Sequence, residues 1–212
     1  THYANGGFTD LDMANPYVGL DELYASGIVN ASKIDPVLTK ARVTATVYSD
    51  RPGEMAPIGE HDVFGKYGYL TAREQHFHVD AKTHSIAQFR AIDYGMEDCA
   101  LVVRLPALDE RLESKESFRL TQPSRIEVCA LDAPRPLDIR KLSWKTRPRC
   151  ERKVGSLEAV PGEESVVTRF PCVWGSLHTF EFGCADGADC LVDVWASQNQ
   201  TWGMWMRQYQ TV

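Results

Sequence analysis

From Arg42 onward, apolar residues alternate with polar ones or gather into short runs rich in β-branched and aromatic side chains. That rhythm predicts strands over Arg42–Ser49, Ser85–Tyr94, Cys99–Leu105, Arg125–Leu131 and Leu137–Trp144. It predicts further strands over Ser165–Phe170, His178–Cys184, Leu191–Ser197 and Trp202–Gln210. Turn signals separate them: Arg51-Pro52-Gly53, Gly65 to Gly68, Pro134 to Pro136, Pro161-Gly162 and Ala185-Asp186-Gly187. One helical candidate, Ala107–Glu116, follows Pro106 and places Leu108 and Leu112 on one face. Many short strands without βαβ alternation define an all-β fold, an antiparallel β-sandwich of jelly-roll type over residues 43–212.

Residues 1–42 have a different pattern, opening on the Gly/Asn-rich THYANGGFTD. Gly19–Gly27 and Ser32–Ala41 read as short helical turns, the first closed by a glycine. This region is an N-terminal arm along the domain, or a stem leading to an anchor. The chain begins at Thr1, which leaves room ahead of it for a removed signal peptide or membrane anchor.

A length of 212 residues suffices for one large β domain, and the composition, 43% hydrophobic and 25% charged, is that of a globular protein. A net charge of −6 argues against nucleic acid as a partner, since such binding rests on cationic surface. All six cysteines, at 99, 129, 150, 172, 184 and 190, lie beyond residue 98, and none forms a C-x-x-C pair. An even number without zinc or redox spacing reads as three disulfides and an oxidising compartment. Cys184 and Cys190 flank a five-residue turn and are expected to bond. Cys99, Cys129, Cys150 and Cys172 form the other two bridges, most simply as sequential pairs, with three pairings open. Sequons at Asn30 and Asn199 add to the secreted or extracytoplasmic reading.

Signatures of common enzymes are missing: there is no G-x-S-x-G, no P-loop, no G-x-G-x-x-G and no H-E-x-x-H. Gly175-Ser176-Leu177-His178 sets a serine near a histidine without a nucleophile elbow. The stretch Glu74-Gln75-His76-Phe77-His78-Val79-Asp80 is more informative. As a strand it carries Glu74, His76, His78 and Asp80 on one face. Imidazoles two residues apart suit a divalent metal, with Glu74 or Asp80 as third ligand or general base. A third ligand from another strand would come from Glu60-His61-Asp62 or from His84. The plain alternative is the wet side of a half-buried strand.

The last two strands predict a hairpin around Gln198-Asn199-Gln200-Thr201. It sets Trp195 opposite Trp202 as an outward aromatic pair, with Val192, Val194 and Trp205 in the core. Such a pair, with Asp193 and Gln198 beside it, would stack a sugar ring, unless an arm bearing Tyr3, Phe8, Tyr17 and Tyr24 covers it. Arg135–Lys153 holds eight basic residues against Asp138 and Glu151 and would meet an anionic glycan or membrane surface, or form a solvated face. Asp186 and Asp189 offer too few ligands to hold calcium alone.

Asn15–Tyr24, Asp93–Pro106, Pro136–Trp144 and Val192–Val212 together resemble a group of basidiomycete proteins, mostly secreted or single-pass membrane proteins, some of them loosely grouped with the C-terminal domain of the ubiquitin 3 binding protein But2. The resemblance spans nearly the whole chain. It implies an all-β domain outside the cytosol and assigns no functional residue. The leading expectation is a binding module for carbohydrate. The alternative is a metal-dependent enzyme using His76 and His78.

Overall fold

The structure, a computed structural model, describes residues 16–65, 68–71, 74–113, 117–185 and 189–212. Tyr3, Phe8 and Asp186, named above, lie outside the described residues. One short helix, α1 (Leu20–Ala25), precedes the strands β1 (Val37–Lys40), β2 (Val43–Tyr48), β3 (Val63–Gly65) and β4 (Gly68–Leu70). β5 (His76–Asp80), β6 (Thr83–Arg90), β7 (Asp98–Arg104), β8 (Arg119–Thr121) and β9 (Arg125–Leu131) follow. The chain ends with β10 (Cys150–Glu158), β11 (Glu164–Pro171), β12 (Leu177–Cys184), β13 (Leu191–Trp195) and β14 (Gly203–Tyr209).

These strands form a four-stranded sheet, β1-β14-β7-β11, a five-stranded sheet, β10-β9-β12-β6-β2, and a three-stranded sheet, β5-β13-β8, with β3-β4 apart. Every pairing between them is antiparallel. The architecture is the all-β sandwich expected. Its main core draws Phe89, Ile126, Val128, Phe180 and Phe182 from the five-stranded sheet, Leu101, Val103, Met204 and Met206 from the four-stranded one, and Phe77, Val79, Val192 and Val194 from the three-stranded one. Each fully buried side chain of this size contributes about 1.5–3 kcal/mol relative to an exposed one.

A second cluster explains why β2 is buried almost throughout. Val43, Ala45, Val47 and Ile86 point away from the main core into Ala56, Tyr69, Leu137, Ile139 and Leu142. The segment supplying the last three was expected as a strand over Leu137–Trp144; it is instead irregular, with a single 3-10 turn at Ile139–Lys141. Its backbone groups find side-chain partners in place of a ladder. Leu137 N donates to Gln88 Oε1 at 3.0 Å, Gln88 Nε2 donates to Arg135 O at 2.9 Å, and Asp138 accepts from Arg140 N.

Two helical expectations also give way. Ser32–Ala41 contains β1, which follows Pro36 and pairs with β14 from Val37↔Gln208 to Lys40↔Trp205. Ala107–Glu116 holds no helix within its described part, because Leu108 is 69% exposed and no apolar face forms to bury. Tyr17 and Tyr24 cover neither Trp195 nor Trp202. Tyr24 stacks on Tyr94, Tyr17 meets the same ring at a tilt and Trp174 edge-on, and these contacts fasten the arm beside residues 92–94.

Candidate functional site

Period-two alternation builds the site. On β5 the odd residues Phe77 and Val79 are buried, leaving His76, His78 and Asp80 on the other face, half-buried. β13 sends Val192 and Val194 into the core and Asp193 and Trp195 to the opposite face, where Asp193 is buried and Trp195 half-buried. The antiparallel register sets Trp195 beside His76 and Asp193 beside His78, while β8 brings Arg119 to the other side of Asp193. β5 is also tied to β6: His78 N donates to Ser85 Oγ at 3.0 Å, and that hydroxyl donates to His78 O at 2.8 Å.

Asp193 is the hub of this face. Its Oδ1 lies 2.7 Å from His76 Nε2, and its Oδ2 accepts from both Arg119 Nε, at 3.0 Å, and Arg119 Nη2. Burial works against its charge, but the hydrogen bonds from His76 and Arg119 outweigh burial and draw the carboxyl down to about 2. Burial pushes the His78 imidazole below its ordinary value. His78 Nε2 sits 3.1 Å from Asp80 Oδ2, while Asp80 Oδ1 accepts from the backbone N–H groups of Lys82 and Thr83 at 2.8 Å each. Burial disfavours the Asp80 anion, yet those N–H bonds hold its carboxyl below the ordinary range. Trp195 lies flat on His76, ring centroids 4.1 Å apart and planes 7° from parallel.

The two groups of candidate residues thus converge. His76 and His78, read as metal ligands, and Asp193 and Trp195, read as sugar contacts, share one sheet face. The third residue grouped with the histidines is Asp193. Glu74 stands exposed ahead of β5, and Asp80 caps the turn into β6. His84 instead meets Glu181, and Asp62 accepts from Tyr69 Oη at 2.5 Å. Arg119 went unread, although Phe118-Arg119-Leu120 carries the same in-out alternation: Phe118 and Leu120 pack on the core.

The hairpin expectation is corrected. β13 pairs with β5 and β8, and β14 pairs with β1 and β7, so Trp195 and Trp202 flank a crossing between two sheets. The crossing ends at Gly203, which needs φ +82° and whose absent Cβ would sit 2.9 Å from Phe77 Cβ. Trp202 packs against the main core beside Met204 and Met206, while Trp205 fills a smaller cluster with Ala100, Val102 and Ala196 on the far side of its sheet. Gln198 and Asn199 lie exposed in the crossing, where Asn199 Nδ2 donates to Glu113 at 3.0 Å; Asn30 is exposed on the arm.

The three disulfides are Cys184–Cys190, Cys129–Cys150 and Cys99–Cys172. The first is the pair expected, and the other two are nested where sequential pairs were the simplest expectation. The reason is the sheet order: β9 neighbours β10, so Cys129 meets Cys150, and β7 neighbours β11, so Cys99 meets Cys172 just past the end of β11. Elsewhere the basic stretch is partly neutralised, with Arg140 on Asp138, Arg147 on Glu181 and Lys153 on Glu127. Ser176 Oγ lies 2.7 Å from His178 Nε2 and also donates to Val173 O at 2.5 Å, closing a turn.

Fold and site together define a disulfide-bonded β-sandwich domain with a polar, aromatic face on its smaller sheet. Its bonds fit an extracellular or lumenal environment, and no described helix is long and apolar enough to cross a membrane. The ubiquitin 3 binding protein But2 C-terminal domain matches residues 71–191, more than half of the chain, and the chain belongs to that family. The match takes in His76, His78 and Arg119 and stops two residues short of Asp193. None of the curated proteins compared with the chain matches it.

Proposed function

We propose that the protein is a binding domain of the secretory pathway whose outer β5-β13-β8 face takes a saccharide. The stacked Trp195–His76 pair carries this reading, because it sets an indole beside charged hydrogen-bonding groups on a sheet face. A sugar offers an apolar C–H face to an aromatic ring and hydroxyls to groups such as Asp193 and the 59%-exposed Arg119. The polar side chains of the face hold one another in place, so the site is set before a ligand arrives.

Screening against a glycan array, followed by titration with fungal- and plant-wall polysaccharides, tests the reading. Trp195→Ala should weaken binding at least tenfold, about 1.4 kcal/mol, and leave the melting temperature nearly unchanged. Trp205→Ala, by contrast, should cost about 3–5 kcal/mol of stability through its cavity. Wild-type affinity in the Trp195 variant, or no polysaccharide bound at all, rejects the saccharide. A protein ligand on the same face is the second reading, favoured by the family's description as a ubiquitin 3 binding protein domain.

A further inference from the structure

His76 and His78 leave one strand two residues apart, and Asp193 is the direct cross-strand partner of His78. The origins of all three side chains are therefore fixed by sheet register rather than by a loop, on a strand tied to β6 through Ser85. One potential ligand atom from each lies within 4.8 Å of the others, and no second group of this kind occurs among the described residues. Two imidazole nitrogens and one carboxylate oxygen form a donor set suited to zinc, with a fourth tetrahedral position left for water or a ligand.

We propose that His76, His78 and Asp193 bind one zinc ion on the outer face of the β5-β13-β8 sheet. Bonds of about 2.0–2.2 Å put two ligands of a tetrahedral zinc about 3.4 Å apart. The widest gap must therefore close by somewhat more than an ångström, within reach of small rotations of two imidazoles. The pairing of His76 Nε2 with Asp193 Oδ1 at 2.7 Å already turns two of the three toward a common point. Neighbours steady the ligands: Arg119 occupies Oδ2 of Asp193, the ion takes the place of the proton shared by His76 Nε2 and Asp193 Oδ1, and Asp80 holds the His78 ring. Arg119 also brings a positive charge close to the ion, which limits affinity; a dissociation constant on the order of 1 μM is expected rather than a nanomolar one.

The inference goes beyond the saccharide reading and does not depend on it: zinc stoichiometry is measured without any sugar, and a failed glycan screen leaves it untouched. The experiment uses the full chain without a histidine tag, stripped with chelator, dialysed, and titrated with zinc chloride by calorimetry and elemental analysis. One zinc per chain is expected. His76→Ala and His78→Ala should each weaken it by more than the roughly 10–100-fold that loss of an outer partner costs, while circular dichroism stays that of the wild type. His61→Ala, at an exposed histidine outside the cluster, should bind as the wild type does. The histidine variants carry the test, because Asp193→Asn also loosens Arg119 and would confuse binding with folding. Less than half an equivalent of zinc at 100-fold excess over the expected constant overturns the proposal. So does a His76→Ala/His78→Ala double variant that binds zinc as the wild type does.

Discussion

Burial alone would push the Glu181 carboxyl toward its neutral form. His84 Nδ1 at 2.8 Å and the Arg147 guanidinium at 3.0 Å outweigh it and hold the group below its ordinary value of 4.5. A depressed carboxyl contributes stability that is present above its unfolded value and lost as pH falls through the folded one. Glu181→Gln should therefore flatten the acid side of the stability profile below about pH 4.5, measured by denaturant titration at a series of pH values. At neutral pH the same change should cost about 2 kcal/mol, because Arg147 loses its anion. Sequence could show that Glu181 sits on a strand but not what it meets, since Arg147 lies 34 residues away and His84 lies 97 away. Asp193 poses the same problem: its carboxylate was legible as polar, but its place beside His76 depends on a contact 117 residues apart.

Strands whose apolar residues alternate regularly were readable because the period reports a face directly. β9 matches its expected limits and β2 matches within a residue at each end, while β7, a continuous apolar run, was readable from its β-branched composition instead. Leu137–Trp144 shares that composition yet forms no strand: Gln88, buried on β6, offers its backbone a partner that local pattern does not reveal. Gln88→Ala should leave the Leu137 N–H and Arg135 carbonyl without that partner. The expected cost is about 1–3 kcal/mol, with faster amide hydrogen exchange confined to residues 135–149. Uniform exchange across β6 and β12 would show that the segment is held by its apolar contacts instead. The separation of β13 from β14 was hidden for a related reason. A short polar connection predicts a hairpin, and only the long-range strand pairings, with Gly203 leaving room for Phe77, show that the chain changes sheets there.

At the scale of the molecule, the fold class and the number of disulfides followed from composition and periodicity, and the bridges are consistent with the oxidising compartment read from them, whereas their nesting needed the sheet order. The bridges also differ in how deeply they lie. Cys99 and Cys172 are both at 0% exposure, and Cys190 is buried, while Cys150 is exposed and Cys129 half-buried. A dissolved reductant meets a bond only where its sulfur can be attacked, so access ranks the three. Mild treatment of the folded protein should open Cys129–Cys150 first, and mass spectrometry after alkylation should find label at those two positions before Cys99 or Cys172 takes any. The β9–β10 edge then becomes an addressable point for a dye or a surface attachment, on a different sheet from the β5-β13-β8 face and with two internal staples still closed.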